Sequence, residues 1–377
     1  MSDLNFASRL IAAAVFLSIE LTGFAQETPA PWSDPSPHAV QFVTVDEGVR
    51  LEVLDWGGRG RSIVLLAGSG NTAHVFDDFA QKFTRTNHVY GITRRGFGAS
   101  THAESGYDDQ RLTDDVLRVL DALTISKPVL IGHSLAGCEM TTLGSQHSDR
   151  LAGLVYLDAG DDPSEYPGAA AYRSLFEQLP QSVTRPARAQ ANERKSFQVY
   201  RDWQMRTRRF TFPEAELRYM FRANSDGSIG EPIPRGSISQ KIPVSQMLGD
   251  GSKKRDYTKI TVPILYLPAA PPKAGGWSQY YLFTPENKNE LTTLQKIYDA
   301  DRANLDRYER DMRRAKGKVS IVELRGAGHY VYFTNESAVL NEVSKFLSKL
   351  PGSRDSIGQT LTSPINIDQT RPRAIRK

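Results

Sequence analysis

The run IGHSLAG at residues 131–137 places a serine in a glycine-rich turn directly after an apolar stretch. A strand that turns sharply into a helix exposes the residue at the apex of the turn, which here is Ser134. A serine hydroxyl becomes a nucleophile when a neighbouring base takes its proton. The run therefore predicts a nucleophile elbow, with Ala136 where the strict pattern has its second glycine. A plain strand–helix turn with a capping serine is the alternative that the run alone leaves open.

A base for this serine should come from the end of another strand. Among the seven histidines, His329 follows the last predicted strand after a glycine-rich loop. His133 adjoins the nucleophile, but a strand and its turn point neighbouring side chains apart, and His38 and His102 lie in Pro-rich or polar segments. We therefore predict His329 as the base.

A third group must hold the imidazole of the base in the correct tautomer. The run LVYLDAGDD offers Asp158 directly at the end of an apolar strand. Asp161 and Asp162 follow beyond a glycine, where the chain is freer, and they are the alternatives. Asp158 is the predicted acid.

Backbone N–H groups that stabilise an oxyanion are expected after the first buried strand and after the nucleophile. The loop LLAGSGNTAH follows such a strand, and it predicts the N–H groups of Ser69 and Leu135 as the pair. A phosphate-binding loop is not expected, because no Lys-Ser/Thr pair follows the glycines. A plain strand–helix turn is the alternative.

The elements that would position these groups alternate strand and helix, which is typical of a mostly parallel α/β sheet flanked by helices. The predicted strands are a hairpin at 40–57, then 62–68, 88–93, 128–133, 151–160, 262–269 and 319–330. The predicted helices are 75–83, 113–123, 136–147 and 337–350.

Residues 162–259 interrupt this alternation with a long, basic, helix-favouring and aromatic segment. Ordinary loops between sheet strands are far shorter, so the segment predicts an inserted helical lid. The core of the fold would then comprise residues 40–161 and 260–350, and the tail at 351–377 is predicted to be disordered.

The N-terminus carries an apolar stretch followed by small residues, which predicts a signal peptide at residues 1–25 with cleavage before Gln26. A Pro-rich linker at 26–39 follows. The stretch is short for a membrane span and contains Glu20, so we expect export to the periplasm or the medium without stable membrane insertion. An amphipathic helix of a cytosolic protein is the alternative.

Composition excludes several classes of protein. The net charge of +4 is small for 377 residues, and no zinc-finger or basic-zipper spacing occurs, so no nucleic-acid partner is expected. The sequence has one cysteine, Cys138, so no intrachain disulfide can form and no cysteine-based metal cluster is expected.

The order Ser134, Asp158, His329 on successive strand ends resembles the α/β-hydrolase fold family. The segment GITRRGFGAST resembles that family's Arg-Gly-x-Gly-x-Ser segment, carried here by Arg95, Gly96, Gly98 and Ser100. LAGSG resembles its His-Gly oxyanion segment with Ala67 in place of His, and Thr93 replaces the Asp usual at the strand end. The resemblance spans about residues 40–350.

Many members of that family carry the triad acid after the strand predicted here at 262–269, where the run APPKAGG contains no carboxylate. Others, including haloalkane dehalogenases and some lactone hydrolases, carry it one strand earlier, where Asp158 stands. The dehalogenases use an Asp nucleophile, so Ser134 argues against dehalogenation.

The resemblance implies a serine hydrolase that cleaves a small-molecule carboxylic ester, with thioester and lactone cleavage next, and needs neither metal nor organic cofactor. Peptidases, amidases and carbon–carbon hydrolases of the family share the same machinery. A ligand-binding or sensory protein on the same scaffold is the rival from another class, because fold does not fix function.

Overall fold

The computed structural model describes residues 32–160, 174–180, 188–233, 254–272 and 284–351. The chain divides into two units, Met1–Pro35 and Ser36–Lys377. The described part of the first unit, residues 32–35, contains neither helix nor strand. The predicted signal peptide and the tail beyond residue 351 lie outside the described residues. The elements below belong to the second unit.

Strands and helices alternate along most of this unit. The strands are β1 (Ala39–Asp46), β2 (Val49–Gly57), β3 (Arg61–Leu66), β4 (Asn87–Ile92), β5 (Val129–His133), β6 (Gly153–Leu157), β7 (Phe221–Ala223), β8 (Ile229–Pro232), β9 (Ile264–Leu267), β10 (Ala269–Ala270), β11 (Val319–Ile321) and β12 (Leu324–Arg325). The helices are α1 (Asp77–Ala80), α2 (Asp109–Ala122), α3 (Ala136–Gln146), α4 (Phe197–Arg208), α5 (Glu214–Met220), α6 (Lys288–Met312), α7 (Val331–Thr334) and α8 (Glu336–Ser348), with 3-10 turns at Ala73–Phe76 and Ser148–Arg150. Each segment predicted as a strand overlaps an observed strand.

Eight strands form one sheet in the order β1-β2-β4-β3-β5-β6-β9-β11. β1 and β2 form the predicted antiparallel hairpin, and β2 pairs antiparallel with β4. From β4 to β11 all neighbouring strands are parallel. The predicted fold class, a mostly parallel sheet flanked by helices, is confirmed.

Both faces of the sheet are buried, because alternate side chains of each central strand enter different hydrophobic clusters. Ile63 and Leu65 of β3 pack in one cluster with residues of α1 and α8. Val64 and Leu66 pack in the other with residues of α2 and α3. A parallel sheet covered on both faces has continuous apolar strands, which is why these segments show no polar alternation.

The register of the parallel strands brings several chain segments to one edge of the sheet. Leu66 of β3 pairs with Gly132 of β5, and His133 pairs with Leu157 of β6. Leu157 in turn pairs with Leu267 of β9. The loops that follow β3, β5, β6 and β9 therefore leave the sheet side by side.

The Arg-Gly-x-Gly-x-Ser segment fixes the loop after β4. Arg95, which is buried, forms a bidentate ion pair with Asp115 of α2, at 2.6 and 2.7 Å. The Ser100 hydroxyl donates to the Thr93 carbonyl at 2.6 Å. Gly96 has φ +79°, a conformation that residues with a Cβ rarely adopt. These contacts hold the loop after β4 in place, so the residues of the segment stabilise the fold.

Between β6 and β9 the chain forms what we call the insert, whose described part contains α4, α5 and the β7–β8 hairpin. Ser196 caps α4 by accepting from the Val199 N–H at 3.1 Å. Phe197, Tyr200 and Trp203 of α4 are buried and belong to the hydrophobic cluster that also contains Ile63 and Leu65 of β3. The described helices agree with the helix-favouring sequence, while the action of the insert as a lid stays a prediction.

α6 is a 25-residue helix in a region where the sequence predicts no element. Asn287 caps it by accepting from the N–H groups of Asn289 and Glu290, and its buried side chains recur at helical spacing. In the described part of the chain, no helix combines the length and the apolar character that crossing a membrane requires.

Candidate active site

Ser134 lies at the turn between β5 and α3 with φ +53°, in the left-handed region that residues with a Cβ avoid. Its N–H donates to the Leu157 carbonyl of the neighbouring strand at 3.3 Å, and its carbonyl accepts from Gly137 at 3.0 Å. The strand and the helix thus hold the backbone in a strained turn. This is the geometry of a nucleophile elbow.

Small residues around the turn make this geometry possible. A Cβ at Gly132 would lie 2.9 Å from the Ala136 Cβ and 2.2 Å from the Met140 Sδ. A Cβ at Gly137 would lie 2.0 Å from the Ala159 carbonyl oxygen. Ala136 therefore replaces the second glycine of the strict pattern without loss of the turn, because the tight contact at this point is made by Gly137.

His329 lies in the loop after β12, with its Nε2 3.0 Å from the Ser134 Oγ. Its Nδ1 lies 2.7 Å from Asp158 Oδ2. A carboxylate accepts, so Nδ1 carries the proton and Nε2 is free to accept the proton of the serine hydroxyl. The imidazole is 51% exposed and can therefore meet a molecule that arrives from solvent.

Asp158 follows β6 directly, with φ +44°. Its N–H donates to the Leu267 carbonyl at 3.0 Å. Its second oxygen, Oδ1, accepts from the Ala269 N–H at 2.9 Å. The segment after β9, which lacks a carboxylate, thus supplies a backbone donor that orients Asp158. The alternatives, Asp161 and Asp162, lie outside the described residues.

The predicted oxyanion donors lie at the same edge of the sheet. Ser69 follows β3, and Leu135 precedes the first turn of α3, where the helix dipole favours negative charge. In the described part of the chain, neither N–H donates to a protein acceptor. A Cβ at Gly68 would lie 3.1 Å from the Ser134 Cβ, so glycine lets this loop approach the nucleophile.

His133 has a role that the sequence analysis does not anticipate. It is buried, and its Nε2 donates to the His329 carbonyl at 3.0 Å. Burial, reinforced by the charge of His329, holds the pKa of His133 well below its ordinary value, although the hydrogen bond to that carbonyl opposes the shift. His133 is thus a neutral donor that supports the loop of the base. A polar residue at the end of a fully buried strand is the signal in the sequence.

Three other residues of the second unit have donor types that suit a divalent cation. His38, His74 and Asp77 place one ligand atom each within 4.8 Å of one another. His74 also lies 3.7 Å from Glu52, and both side chains are almost fully buried. None of them belongs to the group formed by Ser134, Asp158 and His329.

The chain belongs to the α/β-hydrolase family, because the model described as "Alpha/beta hydrolase family" matches residues 63–343. The match covers the strand ends that carry Ser134, Asp158 and His329. The resemblance noted from the sequence is therefore confirmed at the level of the family.

Relatives with known names align over part of the chain. Epoxide hydrolase A of Mycobacterium tuberculosis is 30% identical over 140 residues, which cover 34% of this chain and 42% of that protein. The bifunctional esterase/perhydrolase DCH of Acinetobacter calcoaceticus is 29% identical over 121 residues, which cover 31% of this chain and 44% of that protein. The alignments span less than half the length of either relative.

Among solved structures, that of E-2-(acetamidomethylene)succinate hydrolase aligns over 82% of this chain and 99% of its own, with a TM-score of 0.55 and 17% identity. At this identity the likeness shows the fold alone. The family, the relatives and the fold agree on a hydrolase scaffold, and the reaction has to be argued from the site.

Proposed function

We propose that the protein is a serine hydrolase that cleaves a small-molecule carboxylic ester through an acyl-enzyme on Ser134. The observation that carries this proposal is the contact chain from Ser134 Oγ to His329 Nε2 at 3.0 Å and from His329 Nδ1 to Asp158 at 2.7 Å. These distances meet the geometry that a nucleophile, its base and the orienting acid require.

In the proposed mechanism the Ser134 Oγ attacks the acyl carbon of the ester while His329 Nε2 accepts its proton. The N–H groups of Ser69 and Leu135 stabilise the oxyanion, and Asp158 stabilises the imidazolium. The carbon–oxygen bond then breaks, and the imidazolium gives its proton to the departing alcohol. Water, deprotonated by His329, attacks the acyl-enzyme and releases the acid and Ser134.

The insert contributes apolar groups beside this chemistry, which supports an apolar or aryl acyl group. Phe210, which is partly exposed, places its ring 5.1 Å from the ring of Tyr330. Tyr330 directly follows the proposed base. Phe210→Ala should shift the preferred acyl length of the substrate.

The experiment that tests the proposal treats the protein with a fluorophosphonate probe and a panel of substrates. The panel holds chromogenic esters of graded acyl length, a thioester, a lactone, an anilide, and an epoxide, since an epoxide hydrolase is among the relatives. We expect labelling at Ser134, turnover of esters, and loss of both in Ser134→Ala. A wild-type protein that is neither labelled nor active would favour the ligand-binding rival.

The expected export remains a separate proposal, supported by the apolar stretch before Gln26. N-terminal sequencing of the mature protein should begin at or near Gln26. A mature chain that starts at Met1 would overturn it.

A further inference from the structure

A buried carboxylate of the insert binds the loop that carries the proposed oxyanion donor. Glu216 of α5 is fully buried. Its Oε1 accepts from the Asn71 side-chain amide at 2.8 Å, and its Oε2 accepts from the Thr72 N–H at 3.2 Å. The Thr72 hydroxyl donates to the same oxygen. Three donors of two consecutive loop residues thus converge on one side chain.

These two residues form the far side of the turn that contains Ser69. The Asn71 N–H donates to the Gly68 carbonyl at 3.3 Å, which closes the turn, and Gly70 within it has φ +81°. A turn closed by one long hydrogen bond and containing glycines is held weakly by its own backbone. The position of the Ser69 N–H therefore depends on what holds Asn71 and Thr72.

The same amide reaches the loop of the base. The Asn71 Oδ1 accepts from the Tyr330 hydroxyl at 3.0 Å, while its Nδ2 donates to Glu216. Tyr330 directly follows His329. One asparagine thus joins the insert, the proposed oxyanion loop and the histidine loop, and each end of its amide has a partner of the matching type.

The ionised form of Glu216 fits this surrounding, because all three loop groups donate. Burial raises the pKa of Glu216, and the hydrogen bonds from Thr72 and Asn71 oppose that rise. Burying a carboxylate costs free energy, and apolar residues of similar volume often stabilise a contact between two segments equally well. The carboxylate differs from apolar residues because its hydrogen bonds fix the orientation of the loop.

We propose that Glu216 is a positioning residue that fixes the oxyanion loop from the insert, so that the insert sets the rate of the chemical step. This inference rests on the proposed function, in which the Ser69 N–H stabilises the oxyanion. The competing account is that Glu216 holds the insert to the core and affects stability alone.

Two substitutions separate these accounts. Glu216→Gln keeps the volume but offers an N–H group to a site of donors. Adding Asn71→Asp restores the match, because position 216 then donates to position 71, while Tyr330 and Thr72 keep their acceptors. Glu214→Gln is the matched control on the same helix, since Glu214 is partly exposed and pairs with Arg218 at 2.6 Å.

We expect Glu216→Gln to lower kcat on a good ester by about 10- to 100-fold, the effect of a displacement of up to about 1 Å, and to leave KM within about threefold. The affinity for a boronic acid that mimics the tetrahedral intermediate should fall in parallel. The double variant should recover kcat to within about threefold of wild type, and Glu214→Gln should match wild type.

Wild-type kcat in a folded Glu216→Gln variant, with a lowered Tm, would overturn the proposal in favour of cohesion alone. If that variant does not fold, the double variant decides, and a folded double variant with low kcat would equally overturn it. If neither folds, Tyr330→Phe, which removes one hydroxyl, should still lower kcat by a few-fold, and unchanged kcat would count against the proposal. Failure of the proposed function shows separately, as an ester activity that is absent or survives Ser134→Ala.

Discussion

Two histidine–aspartate pairs of this protein have the same spacing and different surroundings. His329 Nδ1 lies 2.7 Å from Asp158, and His88 Nε2 lies 2.7 Å from Asp55. Both pairs are partly exposed. The first lies in loops at the carboxyl edge of the sheet, whereas the second lies on β4 and β2, within the strands.

The difference lies in what the other imidazole nitrogen faces. For His329 it is the hydroxyl of Ser134 at 3.0 Å. For His88 it is the Tyr90 hydroxyl at 3.4 Å. Burial, together with the charge of Asp55, raises the pKa of Tyr90 to about 12. The 3.4 Å distance is long for a hydrogen bond from a hydroxyl, and Tyr90 stands within a strand instead of at the apex of a turn. A histidine–carboxylate pair therefore becomes a base for catalysis where the fold adds an elbow and oxyanion donors.

The strongest test of this comparison exchanges each aspartate for asparagine. Asp158→Asn should lower turnover by roughly 10³–10⁴, because the amide favours the wrong tautomer of His329. Asp55→Asn alters a pair of equal length and should leave turnover within about twofold. The measurement is kcat/KM on one good ester, with folding checked by circular dichroism. Near wild-type turnover in Asp158→Asn, or a comparable loss in Asp55→Asn, would break the distinction.

The sequence predicts the positions of these groups because strand ends leave strong signals. Ser134, Asp158 and His329 each follow an apolar run or a glycine-rich loop, and parallel strands bring such ends to one edge. The sheet and its flanking helices follow from the same runs. Roles for the three residues stay predictions until activity is measured.

Other parts of the site depend on contacts between segments far apart in the chain, which have no local signal. Glu216 and Asn71 are separated by 145 residues, and His133 and His329 by 196. The sequence analysis rejects His133 as the base because neighbouring side chains of a strand and its turn point apart. It does not predict that His133 donates a hydrogen bond to the His329 carbonyl. α6 is different, because its buried apolar residues from Leu294 to Met312 recur at helical spacing, and this local signal was overlooked.

A second test sharpens what lies next to the nucleophile. A Cβ at Gly68 would lie 2.8 Å from His133 Nδ1 and 3.1 Å from the Ser134 Cβ. Gly68→Ala should therefore push the oxyanion loop away from Ser134 and lower kcat by about 10- to 100-fold, with KM less affected. Steady-state kinetics and the rate of fluorophosphonate labelling measure this effect. Unchanged rates would show that the loop lies farther from the reacting atoms than proposed.

A third test uses the buried cluster around Glu52, whose carboxylate lies 3.7 Å from the imidazole of His74. Burial raises the pKa of Glu52, but His74, with hydrogen bonds from Thr93 and Tyr219, outweighs that effect, and the net pKa lies below the ordinary 4.5. A lowered acid pKa contributes stability that is present above the unfolded pKa and lost as the pH falls through the folded value.

Glu52→Gln should accordingly destabilise the protein by about 1–3 kcal/mol near neutral pH, and by less as the pH falls below 4.5. Denaturant unfolding of both proteins across this range measures the difference. Activity of the folded fraction should stay at the wild-type level, because the cluster touches no reacting atom. A destabilisation that grows on acidification would contradict the assigned direction.

The smallest expected effect is that of a chelator. The contact chain from Ser134 through His329 to Asp158 supplies nucleophile, base and orienting acid, so the proposed ester cleavage has no step that a metal must perform. Incubation with EDTA followed by gel filtration should leave kcat/KM unchanged, and added Zn²⁺ should not raise it.

His38, His74 and Asp77 are the described side chains of the second unit whose donor atoms converge within 4.8 Å. Chelation could instead lower the activity, and added Zn²⁺ could restore it. If the His74→Ala variant no longer shows this dependence on metal, the buried cluster is a metal centre coupled to the site. In that case the proposed distinction between a histidine pair that acts in catalysis and a histidine cluster that supports the fold would no longer hold.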